Sequence, residues 1–190
     1  MSESGVKLPA AGAKLIRDAH WIDAQLSGFA REIAAQGNLD LVVVAGIRRR
    51  GAELARRVAD RVNSSTSTKV HCGALDVTLY RDDAVLKGPG LRTQNEGTIL
   101  AEVDNRIVYL IDDVMYTGRT IRAAIAVLMD YGRPGSIRLF SLVDRGGREL
   151  PIQPDRVGER LIVPAADRID VRLKETDGED GVFVTVGGMR

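Results

Sequence analysis

A single cysteine, Cys72, stands among the 190 residues, so no disulfide can close within the chain. A small fold held by cross-links is excluded, and a lone thiol suits a reducing cytoplasm. Cys72 lies in an alternating, strand-like stretch and reads as a small core residue rather than a nucleophile. Long apolar runs are missing too. The longest, such as Leu41–Ile47, fall far short of the ~20 residues that span a bilayer. Met1-Ser2-Glu3-Ser4-Gly5 lacks the basic-then-apolar layout of a secretory signal. No membrane association and a cytoplasmic location are therefore expected. Charge of one sign is lacking as well: 27 Lys and Arg against 26 Asp and Glu leave a net +1. A dedicated nucleic-acid binder usually carries a basic surplus, so any basic patch must come from local placement. Internal repeats and low-complexity segments are absent.

What is present is ordinary globular material, with 44% hydrophobic and 28% charged residues. One domain is expected over residues 1–190, with its core at about 14–175 and a flexible tail at 1–12. Leu15, Ile16, Ala19, Ile22, Leu26, Phe29 and Ile33 recur at helical spacing and predict a helix from Lys14 to about Ala35. Leu41–Ala45 is β-branched without alternation, which suits a strand buried on both faces. A tight loop follows at Gly46–Gly51, then a helix over Ala52–Val62. Strands are expected at Val70–Tyr80, Arg106–Ile111 and Ile137–Val143, with a helix from Thr117/Gly118 to Gly132. Arg81–Gly97 shows no packed pattern and predicts a long mobile loop, a kind that is usually functional. Asp177-Gly178 signals a hairpin between 171–175 and 182–186.

Strands alternating with helices imply parallel βαβ units, whose ligands sit at the strand C-terminal ends. Three loops should converge there: Gly46–Gly51, Asp112–Thr120 and Asp144–Gly147. In the second of these, Asp112 and Asp113 follow an apolar strand and can accept hydrogen bonds from adjacent sugar hydroxyls. Thr117, Gly118 and Thr120 then open a helix, whose N–H groups and hydroxyls suit a phosphate. Gly46-Ile47-Arg48-Arg49-Arg50-Gly51 has the outer glycine spacing of an ATP-binding loop, but Ala52 and Glu53 follow in place of Lys and Ser/Thr. No G-x-G-x-x-G follows a strand either. What remains is a tight loop with three arginines, which match phosphate oxygens in pairs.

Val108–Thr120 resembles the phosphoribosyl-pyrophosphate (PRPP) signature of type I phosphoribosyltransferases. Together with Gly46–Gly51, Asp76–Asp83, Tyr131-Gly132-Arg133-Pro134 and Val143–Ile152, it resembles the PyrR family, pyrimidine-operon attenuation regulators with uracil phosphoribosyltransferase activity. The resemblance implies a central parallel sheet flanked by helices, with a hood and a flexible loop. It implies conversion of uracil and PRPP to uridine monophosphate (UMP) and pyrophosphate, with Mg²⁺ bound mainly through PRPP. Asp112 and Asp113 would flank the ribose. Val114, Met115, Tyr116, Thr117, Gly118, Arg119 and Thr120 would wrap the 5′-phosphate. Arg48, Arg49 and Arg50 would lie in the pyrophosphate loop. Tyr80, Arg81, Asp82 and Asp83 would open the flexible loop, and Val143, Asp144, Arg145 and Gly146 the hood over the base.

Asp112, Asp113, Arg48, Arg50 and Asp144 are the catalytic candidates, Asp144 by assisting a metal-bound water or the base. Binding of UMP or UTP, of a pyr messenger RNA leader, and assembly into dimers or larger are implied as well. Three sequence features differ from the family: the N-terminal helix keeps Arg31 but not the family's polar and basic pattern, and two more lie downstream. Gly147 stands where His is common, and Val157-Gly158-Glu159 puts an acid where Lys is common, both in the region that family members use for RNA. The competing readings are a salvage enzyme without RNA binding and a purine-type phosphoribosyltransferase. His20 and His71 match no motif and read as structural.

Overall fold

The computed structural model describes residues 12–78 and 103–187. The tail before Gly12, the loop expected at 81–97 and its opening residues Tyr80, Arg81, Asp82 and Asp83 lie outside them.

The first expected helix divides in two. Ala13–Asp18 is a strand, β1, and only Ala19–Ala34 is helical, α1. The Asp18 carboxylate accepts the Trp21 N–H at 2.9 Å and starts the helix there. Upstream, β1 pairs antiparallel with β8 (Gly181–Thr185). The apolar stripe of α1 therefore begins at Ile22 and continues through Leu26, Phe29 and Ile33, all buried.

A short 3₁₀ turn leads into β2 (Val42–Ile47), buried along its whole length. Then come α2 (Arg50–Ser65), β3 (His71–Leu75), β4 (Ile107–Met115), α3 (Arg119–Tyr131) and β5 (Ser136–Asp144). β3 is shorter than the strand expected at 70–80. β4 is longer than expected and does not end at the acids. Its pairing with β2 stops at Ile111, but β5 accompanies it to Met115.

β6 (Arg156–Arg160) is a strand without a sequence signal, because its charged residues hide the alternation. It pairs parallel with the edge of β5. β7 (Arg168–Arg172) and β8 form the expected hairpin, but not through a two-residue turn. One helical turn, α4 (Lys174–Asp177), lies between them and Gly178 closes it at a φ of 83°.

β3, β2, β4, β5 and β6 lie side by side in that order in one parallel sheet. Val44, Tyr109, Ile111, Phe140 and Leu142 face α1 and α2, while Val43, Ala45, Val108 and Leu110 join the core of α3. The second sheet, β1-β8-β7, adds Ile169, Val171 and Val182 to the α1–α2 side. The chain runs from β2 outward to β3 and then back across to β4. The order reverses between β2 and β4, and such a switch point opens a crevice at the strand C-terminal ends.

Among the described residues, no helix is long and apolar enough to cross a membrane. Cys72 is half-buried, and burial, with Asp60 nearby, pushes its thiol up to about 11. His20 and His71 are exposed.

Candidate active site

The acid pair occupies the crevice where β2 ends and β4 continues. Asp112 is 5% exposed, and its Oδ1 accepts the Asp113 N–H at 3.1 Å. Burial and the adjacent Asp113 push the Asp112 carboxyl well above the ordinary carboxylate range. Burial raises Asp113 too, against the Arg50 charge and the Val114 N–H, which pull it down. A ligand bringing hydroxyl donors or a cation relieves this like-charge crowding.

The arginine loop stands beside the pair because of two glycines. A Cβ on Gly46 would overlap the Gly51 carbonyl, and a Cβ on Gly51 would lie 2.6 Å from the Ile111 oxygen. The first turn of α2 therefore leans directly on β4, just before the acids. Only Arg48 and Arg49 form the loop proper. Both are exposed, their shared peptide bond is cis, and the Arg48 N–H donates to the Leu75 oxygen at 2.9 Å. Arg50 already belongs to α2 and points elsewhere. Its Nε and Nη2 each donate to Asp177 at 3.0 Å, and Nη1 lies 3.1 Å from Asp170. The three arginines are thus not equivalent: two stand at the crevice and the third is committed to the β7–β8 hairpin.

Beyond the acids, Val114 is half-buried and Met115 is buried, its N–H donating to Ser141 Oγ at 3.2 Å. Tyr116, Thr117 and Gly118 make the turn, with Gly118 left-handed at a φ of 93°. Thr117 Oγ1 accepts the Arg119 N–H at 3.3 Å, and Thr120 sits in the first turn of α3. This helix start, with its hydroxyls, suits an anion. Arg119 itself pairs with Glu149 at 2.6 Å.

The hood is tied to that turn through the main chain. The Arg145 N–H donates to the Met115 oxygen at 2.9 Å, and the Glu149 and Leu150 N–H groups donate to the Thr117 oxygen at 3.0 and 3.1 Å. Arg148 joins both sides: Nη1 donates to the Tyr116 oxygen at 2.8 Å and lies 2.8 Å from Asp144 Oδ1. The Arg145 guanidinium stacks 4.1 Å from the Tyr116 ring centre and donates to the Asp167 oxygen at 2.9 Å. Gly147 fits under the same ring at a φ of 74°, where a Cβ would come within 2.5 Å of Tyr116 Cε2. A histidine here would displace that ring.

Val143 and Asp144 end β5, both buried, with Asp144 only 1% exposed. Burial alone would raise the Asp144 carboxyl. The Arg148 hydrogen bond, the Gly146 N–H at 2.9 Å and the Arg160 charge hold it below the ordinary range instead. A carboxylate so stabilised is a weak proton acceptor. The geometry makes Asp144 a hub of the hood, where Arg148, Arg160 and the Gly146 N–H meet. Arg148, Arg160, Asp170 and Asp177 are members of the assembly that sequence reasoning did not single out. Asp177 was legible only as a hairpin residue, and Arg148 only as part of a family segment.

Among the described residues, no cluster of three or more His, Cys, Asp and Glu gathers to hold a metal. A cavity of about 310 Å³, lined by Glu32, Tyr109, Arg138 and Asp155 among others, lies at the opposite, N-terminal end of β4 and β5.

Known proteins match this arrangement. The phosphoribosyl transferase domain family matches residues 14–170. Solved structures share the fold: a hypoxanthine phosphoribosyltransferase from Staphylococcus aureus, with a TM-score of 0.62, 17% identity and 92% of both chains covered. The HGPRT-ase of Leishmania tarentolae in complex with GMP gives a TM-score of 0.65 at 14% identity, covering 94% of this chain and 99% of that one. Identities this low carry the type I fold and not the choice of base. "Bifunctional protein PyrR" of Roseiflexus sp. is 47% identical, covering 91% of this chain and 95% of that one. The protein of the same name from Chloroflexus aurantiacus is 43% identical, covering 91% and 89%. The Bacillus cereus protein is 41% identical, covering 90% and 96%. Such identity over nearly whole chains reaches past a shared fold: this chain belongs to the PyrR family of phosphoribosyl transferase-domain proteins.

Proposed function

We propose that the protein transfers the phosphoribosyl group of PRPP to uracil, yielding UMP and pyrophosphate. The carrying observation is the convergence of three structures on one crevice: the Asp112–Asp113 pair, the Thr117–Gly118 turn into α3, and the hood ending β5. Asp112 and Asp113 accept the ribose hydroxyls. Thr117, Gly118 and Thr120, with the α3 N–H groups, bind the 5′-phosphate. Arg48 and Arg49 meet the pyrophosphate, and Val143–Gly146 meets the base, partly through backbone groups.

The reaction breaks the bond from C1′ to pyrophosphate oxygen and forms one from C1′ to a uracil nitrogen, whose proton passes to the departing pyrophosphate or to water. Positive charge develops on the sugar and negative charge on the leaving group. In this reading the acid pair faces the sugar and the arginines face the leaving group, so each side would meet charge of opposite sign. Mg²⁺ bound with PRPP adds charge neutralisation at the departing oxygens. By the family resemblance, the loop that Tyr80, Arg81, Asp82 and Asp83 open would exclude water from the site.

Purified protein with uracil, PRPP and Mg²⁺ is expected to release pyrophosphate. Turnover with hypoxanthine or guanine and none with uracil would reject the pyrimidine assignment.

The second reading is regulation, by UMP- or UTP-dependent binding of the pyr messenger RNA leader. The relatives' shared name, "Bifunctional protein", supports it. Glu159, the acid where family members commonly carry Lys, pairs with Arg17 Nε at 2.7 Å, which offsets its charge without restoring the missing cation. A gel shift at physiological salt tests it; equal affinity for leader and scrambled RNA rejects it. Assembly into dimers or larger, and a cytoplasmic setting, belong to the same reading, and light scattering of the purified chain measures the first.

A further inference from the structure

We propose that Asp177 and Asp170, on the β7–β8 hairpin, are positioning residues for the pyrophosphate loop, holding Arg48 and Arg49 in place through Arg50. The inference rests on the phosphoribosyl-transfer reading above.

Arg50 is the residue next to Arg49 and the first of α2. Three of its nitrogens are engaged: Nε and Nη2 by Asp177, both at 3.0 Å, and Nη1 by Asp170 at 3.1 Å. A guanidinium with its fork filled by two carboxylates has little left for phosphate. Its use is as an anchor. Asp177 is anchored in turn, accepting the Leu173 N–H at 3.0 Å and the Thr176 hydroxyl at 2.7 Å. Burial would raise its carboxyl, but Arg50 and these donors bring it to about 2, so it is ionised at neutral pH.

Arg50 is also linked to the acid pair. Its charge is the first influence that lowers Asp113, and the next residue, Gly51, packs against the Ile111 carbonyl and the Asp112 Cα. A shift of the α2 start would therefore move both halves of the crevice. The same hairpin holds α2 a second time, two turns further along. There Arg57 pairs with Asp180 at 2.8 Å and with Glu175. That contact is of the same chemical kind but lies away from the loop, which makes it an internal control.

The test uses the full chain with Asp177→Asn, Asp177→Glu, Asp170→Asn and, as control, Asp180→Asn. Steady-state kinetics give KM for PRPP and for uracil, calorimetry gives Kd for Mg²⁺-pyrophosphate, and thermal melting gives Tm. Asp177→Asn is expected to raise the PRPP KM and the pyrophosphate Kd about tenfold, with the uracil KM changed less than about twofold. Asp177→Glu restores most of the loss, and Asp170→Asn gives about a threefold rise. Asp180→Asn lowers Tm while leaving the PRPP KM unchanged. The sign of the effect is decisive. Removing a carboxylate near an anion site, and freeing Arg50, would by charge alone tighten pyrophosphate binding. Unchanged or tighter binding in Asp177→Asn overturns the proposal. If that variant does not fold, the same result in Asp170→Asn overturns it. If the wild type turns over no uracil, the transfer reading fails, and the pyrophosphate affinities still decide the positioning role.

Discussion

The acid pair of this protein is flanked by two supports built on different principles. On one side the hood is joined to the Met115–Gly118 turn by main-chain hydrogen bonds, with the well-buried Arg148–Asp144 contact between them. On the other side the arginine loop depends on side chains. Arg50 and Arg57 reach from α2 to acids on a hairpin more than a hundred residues away in the chain. Main-chain hydrogen bonds carry no net charge and resist salt, whereas ion pairs whose side chains are 15–31% exposed are partly screened by it. The turn and hood thus form the fixed wall of the crevice, and the arginine loop is the side that ionic conditions can loosen. That division suits the proposed chemistry, where the ribose phosphate stays bound while the pyrophosphate departs.

The largest expected effect breaks the fixed wall. Arg148→Met leaves Asp144, 1% exposed, with Arg160 as its remaining cation and frees the Tyr116 carbonyl. A loss of about 3 kcal/mol is expected, lowering Tm by roughly 6–12 °C. The pH dependence follows from the depressed Asp144 carboxyl. Its stabilisation is present above the unfolded carboxylate value and disappears as pH falls through the lower folded value. Wild type and Arg148→Met should therefore converge in acid. An undiminished gap below the carboxylate range would show that Arg148 acts by packing instead.

Gly147→Ala comes next. Its left-handed φ and the Tyr116 ring together make a side chain costly, about 2 kcal/mol by denaturant unfolding. Displacement of Tyr116 should also unstack Arg145 and raise the uracil KM. Unchanged stability and kinetics would mean that the hood is softer than its hydrogen bonds suggest.

Arg57→Met probes the other support, where about 1 kcal/mol is expected at low salt. The gap from wild type should shrink as salt approaches molar concentration, while that of Arg148→Met persists. Equal salt sensitivity of the two variants would erase the contrast between the supports.

The last effect, of similar size, has the opposite sign. Asp112 is raised by burial and by Asp113, so its ionisation opposes folding. That penalty is absent below the unfolded carboxylate value and grows as pH rises through the higher folded value. Asp112→Asn should therefore gain about 1 kcal/mol at neutral pH, a Tm rise of roughly 3 °C, with no gain in acid and with activity lost. A destabilised variant at neutral pH would mean that the carboxylate is already compensated in the ligand-free protein.

Some elements could be read directly. β2 shows a β-branched run, α2 and α3 show helical spacing, and the acid pair followed by Thr117-Gly118 marks the turn. Others could not. Leu15 and Ile16 fit the stripe of the following helix, so β1 was hidden until β8 supplied its partner and Asp18 its boundary. Polar β6 carries no alternation because it pairs only with β5 at the edge of the sheet. The arginine triplet reads in the sequence as one tight loop, yet its members divide. Helix α2 begins at Arg50 and turns that side chain toward Asp170 and Asp177.

The sequence by itself determined the parallel α/β fold, the acid pair at a strand's C-terminal side and the glycine turn beside it, because these depend on local periodicity and backbone freedom. Only the tertiary structure decided which charges are at liberty. Asp112 is pushed toward its neutral form, Asp144 is held ionised and Arg50 is tied to Asp170 and Asp177. The reason is physical: a carboxylate or guanidinium takes its character from burial and from the charges beside it, and those neighbours are chosen by the fold.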